Sequence, residues 1–105
     1  MTTPAEAPEG LDLSSVSPGS TIDIETVNRQ YRIECLGGDL IRICGHPDFC
    51  PSPASALLRG SLDDDGTVEG GRIGPGKRLM YFLEDRGPVS TSKVVSVHVE
   101  SPAVR

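Results

Sequence analysis

The chain has no tryptophan, and its 105 residues hold only four aromatic side chains: Tyr31, Phe49, Tyr81 and Phe82. A core must therefore be built mainly from aliphatic residues, and a surface that stacks successive nucleic-acid bases is short of rings. Basic runs are also missing, with Lys77-Arg78 the nearest approach. Ten Lys and Arg against fifteen Asp and Glu give a net charge of −5. Such a surface repels phosphate backbones, so nucleic acid is not an expected partner. No apolar run approaches the ~20 residues of a membrane span, so no membrane partner is expected either. The first residues offer neither a basic start nor an apolar segment, so no secretory leader is read there. Three cysteines, an odd number without such a leader, point to free thiols in a reducing cytoplasm.

Turn formers and short alternating runs are plentiful. Gly (12) and Pro (9) make up a fifth of the chain, which suits many short elements joined by tight turns. The clearest stretch is Tyr31 to Gly45, where two alternating runs flank Gly37-Gly38-Asp39. A two-residue loop at Gly37-Gly38 would set Ile33 opposite Arg42 and mix polar with apolar residues on both faces. A three-residue loop sets Ile33 opposite Ile43, Cys35 opposite Ile41, Glu34 opposite Arg42 and Arg32 opposite Cys44. Opposed residues share a face, so the second register gives one apolar side and one charge-paired side.

Other strands follow from the same period. Thr21 to Val27 places Ile22 and Ile24 on one side. Ala54 to Leu58 fits a short helix or a strand continuing to Leu62, and two turns of helix are marginal alone, so the strand is expected. Thr67 to Glu69 reads as a brief strand. Arg78 to Glu84 carries Leu79, Tyr81 and Leu83 on one face and Met80 and Phe82 on the other, the pattern of a strand through the middle of a fold. Lys93 to Val99 should turn Val95, Val97 and Val99 inward, with Ser96 and His98 outward. The expectation is an all-β fold, a small barrel or sandwich of about six to eight short, mostly antiparallel strands. Residues 19–100 form the domain, 1–18 a disordered N-terminal tail and 101–105 a C-terminal tail. Ile33, Ile43, Leu79, Tyr81, Val95 and Val97 are expected in the core.

A sparser pattern spans residues 20–98. It comprises Thr26-x-x-Arg29-x-Tyr31-x-Ile33, Phe49-x-Pro51-x-Pro53, Gly60-Ser61, Ile73-x-x-Gly76-x-x-Leu79-x-Tyr81-Phe82 and Thr91-Ser92-x-Val94. This order resembles a family of small bacterial all-β domains of unknown activity. The resemblance implies the all-β class and no reaction.

Few residues could carry chemistry. Cys44, His46, Asp48 and Cys50 place two thiols, an imidazole and a carboxylate within seven positions, a set that could hold Zn²⁺. The C-x-H-x₃-C spacing is not a C-x₂-C knuckle, and no second ligand pair follows. Cys50 as a nucleophile would need His46 or His98 as its base, and no cationic neighbour lowers its pKa. Gly71-x₄-Gly76-Lys77 imitates a phosphate loop, but Arg78 replaces the Ser/Thr and a strand pattern replaces the helix. Ser61-x-Asp63-x-Asp65-Gly66 imitates a calcium loop whose twelfth position is Arg72 rather than Glu. With every catalytic, phosphate and metal set incomplete, the expected role is a non-catalytic module. It would bind another protein or itself, without a cofactor. The alternative is a zinc-binding domain or small enzyme using Cys44, His46, Asp48 and Cys50. Cys44 and Cys50 are expected to be exposed, and Cys35 buried.

Overall fold

A computed structural model describes residues 5–6, 10–47, 50–84 and 86–100. The wall of the fold is built from β3 (Thr21–Thr26), β4 (Gln30–Gly37), β5 (Leu40–Cys44), β6 (Ala54–Leu62), β9 (Arg78–Leu83) and β10 (Gly87–Glu100). Each of these strands pairs antiparallel with the next, and β10 pairs back onto β3. The ladder closes into a six-stranded barrel, which leaves no free edge within the ring. Four short strands decorate it: β1 (Ala5–Glu6) on β10, β7 (Val68–Gly70) on β6, and β2 (Leu11–Asp12) paired with β8 (Arg72–Ile73). No helix among the described residues is long and apolar enough to cross a membrane.

Alternation fills the inside. Ile22, Ile24, Ile33, Ile43, Leu58, Leu79, Tyr81 and Val97 are all essentially inaccessible. Tyr31 and Tyr81 meet edge to face across the interior, with ring centroids 6.4 Å apart. That contact supplies the bulk that a tryptophan-free chain otherwise lacks.

Closure depends on irregularities that the period-2 pattern does not reveal. In β10 the pairing shifts between Ser90 and Lys93, and again between Val94 and Ser96. Bulges bend a strand and increase its twist. They let one 14-residue strand serve β9 with its first half and β3 with its second. Thr91 supports the bend: its hydroxyl accepts from the Leu79 N–H at 3.1 Å and donates to the Ser92 carbonyl at 2.6 Å. The second bulge also corrects one expected core residue. Val94 takes the inward place, and Val95 is turned out, 53% exposed. Val97 lies inside as expected, and Val99 packs against the core from its margin.

In β6 the register shifts between Leu58 and Gly60. Gly60 has φ +134°, and a Cβ there would collide with the Glu69 carbonyl oxygen. Only glycine lets β7 lie so close.

The central hairpin keeps the expected register, with Ile33 opposite Ile43, Cys35 opposite Ile41 and Arg32 opposite Cys44. Its tip is shorter than expected. Gly37 joins the ladder opposite Leu40, and a bulge between Cys35 and Gly37 absorbs the extra residue. The ambiguous segment is strand, β6, because it has neighbours on both sides. Strand β9 is likewise flanked on both sides, but Met80 and Phe82 are only half-buried on the outer face. It belongs to a barrel wall rather than to the middle of a layered fold.

Residues 10–18 differ from the expected disordered tail. Leu11 pairs with Ile73, the Leu13 N–H donates to the Gly71 carbonyl at 2.8 Å, and Leu11, Leu13 and Val16 pack against the core. Asp12 caps the 3₁₀ turn Leu13–Ser15 by accepting from the Ser14 N–H. Three spaced apolar residues suffice here because β8 supplies a partner strand. The C-terminal tail, 101–105, lies outside the described residues.

Candidate functional site

The segment joining β5 to β6 carries the residues that could hold a metal. Cys44 ends β5 on the outer face opposite Arg32 and is half-buried. The chain then folds back on itself. The Gly45 N–H donates to the Cys50 carbonyl and the Cys50 N–H to the His46 carbonyl, each at 3.0 Å. This tight return requires Gly45, at φ +133°, because a Cβ there would collide with the Gln30 carbonyl oxygen.

The fold-back carries Cys50 into the core, where it is 1% exposed, and its sulfur lies 3.9 Å from the Tyr81 hydroxyl. Exposure was expected from its proline-rich surroundings, but the hydrogen-bonded return overrides that pattern. Cys44 and Cys50 therefore sit on opposite sides of the barrel wall. His46 is half-buried in the turn, and Asp48 lies outside the described residues. Among the described residues no three His, Cys, Asp or Glu side chains gather where a metal ion could sit. The other candidate base, His98, stands on β10 opposite Asp23.

Burial shapes the inner titratable groups. Desolvation above all, then Cys50 and Tyr31 beside it, push the Tyr81 phenol far above its ordinary value. Desolvation likewise raises Tyr31, helped by Cys50 and opposed by Arg29. The Cys35 thiol is raised by burial alone. A raised thiol pKa disfavours the thiolate, so Cys35 is a poor nucleophile where it stands.

Outside, the wall presents two surfaces. Over β10, β3, β4 and β5 the opposed residues His98, Asp23, Arg32 and Cys44 form a polar row. An open groove of about 540 Å³ lies along it. Arg32 is 3.9 Å from Asp23, and on the next rung Arg42 is 3.1 Å from Glu34.

Over β5, β6, β9 and the start of β10 the rung is apolar. Leu40 is opposite Leu57, Leu57 opposite Phe82, and Phe82 opposite Pro88. Leu40 and Leu57 are 45% and 46% exposed, and a groove of about 480 Å³ runs beside them. The Arg59 guanidinium lies over the Phe82 ring, 5.1 Å from its centroid.

This apolar row was not anticipated as a site. The available signal was β9, apolar on both faces, which in a closed barrel must turn one apolar face to solvent. Compared with known proteins, the chain matches no family model, no curated protein and no solved structure.

Proposed function

We propose that the protein is a non-catalytic β-barrel module that docks onto protein through the outer row Leu40, Leu57, Phe82 and Pro88. One observation carries this reading: four successive strands place apolar residues on one rung of an outer wall that needs none for its core. A contiguous apolar strip flanked by charge is how a protein-binding surface is built. Aromatic and leucine side chains there lose water on docking, and Phe82 supplies the anchor. The three thiols are free, which suits work in the cytoplasm.

The test is site-directed photo-crosslinking in cells of the source organism. A benzophenone side chain replaces Leu57, and a control carries it in place of Arg32 on the polar row. Discrete adducts at 57 but not at 32 are expected. Equal adducts at both positions, or none at 57, would overturn the reading.

A further inference from the structure

The apolar row is bordered by two charges with no ion-pair partner among the described residues. Among the described residues, Glu84 forms no hydrogen bond or ion pair, and Arg59 only covers the Phe82 ring. Their positions are related. Leu57 and Phe82 are directly opposed on antiparallel strands, with Arg59 two residues beyond Leu57 and Glu84 two residues beyond Phe82. Antiparallel strands run in opposite directions, so the two charges stand on opposite sides of the rung, Arg59 on β6 and Glu84 just past the end of β9.

We infer that the occupant of this face is a second copy of the chain, docked about a two-fold axis with Arg59 of each copy over Glu84 of the other. This deepens the docking function proposed above and rests on it. A face carrying one positive and one negative charge across an apolar centre is self-complementary. A two-fold rotation that lays it on itself matches Leu57 and Phe82 against their counterparts and forms the Arg59–Glu84 pair twice. An axis running roughly across the strands is the one that achieves this.

The division of labour follows from the chemistry. Removing Leu40, Leu57 and Phe82 from water supplies the affinity. The two rim pairs set the register and contribute little energy, because they stay partly solvated. The net charge of −5 on each copy opposes association at long range. The pairs at the rim offset that repulsion locally.

Analytical ultracentrifugation of the whole chain at physiological ionic strength, up to about 1 mM, tests this. Five proteins are compared: the unaltered chain, L57D, R59E, E84R and the double reversal R59E/E84R. The unaltered chain should form a dimer of twice its 11.1 kDa mass. L57D should weaken it by roughly 100-fold or more, since a carboxylate would be desolvated at the centre. Each single reversal places like charges together twice and should weaken the dimer by roughly fivefold or more. The double reversal should restore it to within about twofold, because the pairs re-form with signs exchanged.

A chain that stays monomeric, a dimer indifferent to L57D, or a double reversal weaker than both single ones would overturn the inference. Thermal melting of each variant separates lost docking from lost folding. A monomeric chain that still gives adducts at position 57, at masses other than twice its own, would reject the second copy and leave the docking function standing.

Discussion

The two halves of the barrel's outer wall are built on the same frame and differ only in what they show to solvent. From β10 through β3 and β4 to β5 the outward positions carry His98, Asp23, Arg32 and Cys44, with Glu34 and Arg42 one rung along. From β5 through β6 and β9 into β10 the corresponding positions carry Leu40, Leu57, Phe82 and Pro88. Inside, both halves are lined by buried aliphatic residues, Ile22 and Ile33 in one and Leu58 and Leu79 in the other. A strand buried on one face needs only one apolar set. The polar half is what folding alone requires, and the second apolar set on β6 and β9 is additional to that requirement.

The largest effects should come from the shared inner lining, and they should not distinguish the halves. Leu58→Ala should cost about 2–5 kcal/mol and Val97→Ala about 1–3 kcal/mol, the difference reflecting the volume each removes. Chemical denaturation of both variants checks this. If either substitution left the midpoint unchanged, its strand would not be part of a common core, and the comparison between halves would fail at its premise.

Legibility in the sequence followed the same division. The inward rows of β3, β4, β5 and β9 were readable because strict alternation names the buried face. The Ile33–Ile43 register followed from rejecting mixed faces. Bulges were not readable. Val95 sits in an unbroken valine alternation, and only the need for β10 to turn from β9 to β3 shows why it is pushed out. Cys50 was misplaced for a related reason. The backbone bonds through Gly45 and His46 that bury it are long-range consequences of Gly45 fitting against Gln30, and no residue spacing encodes them. The outer apolar row lay in plain view as the second apolar face of β9, but its meaning depends on whether that strand is covered by another layer.

The next effect joins the two halves through the tyrosine pair. Tyr31 belongs to β4 and Tyr81 to β9, and both phenols are raised above the ordinary value of 10.0. Below pH 10 both are protonated in the folded and unfolded chain alike, so their contribution to stability is fully present. Above it the unfolded chain ionises first, and each folded phenol follows only at higher pH. Within that window stability should fall by up to about 1.4 kcal/mol per pH unit for each tyrosine, and the loss ends where the folded phenol itself ionises. Cys35, also raised by burial, adds a loss that begins near its ordinary value of 9.0. Tyrosinate absorbance in the near ultraviolet should rise only with loss of the barrel's circular dichroism. A phenol that titrated while the protein remained folded would mean that one half of the barrel opens to solvent without the other.

The smallest effect should come from the charges on the polar half. Asp23 and Arg32 are 3.9 Å apart with both side chains about half exposed. At that separation and exposure, screening and side-chain entropy cancel most of the attraction, and pairs of this kind contribute about 0–1 kcal/mol. A double-mutant cycle with Asp23→Asn and Arg32→Gln should give a coupling of no more than about 0.5 kcal/mol, and less in high salt. Neither substitution should alter the concentration dependence of sedimentation, because neither residue borders the Leu57 row. A large coupling would make the polar half a structural element in its own right. A change in association would mean that the occupant reaches across β5, and the division between the two halves would have to be redrawn.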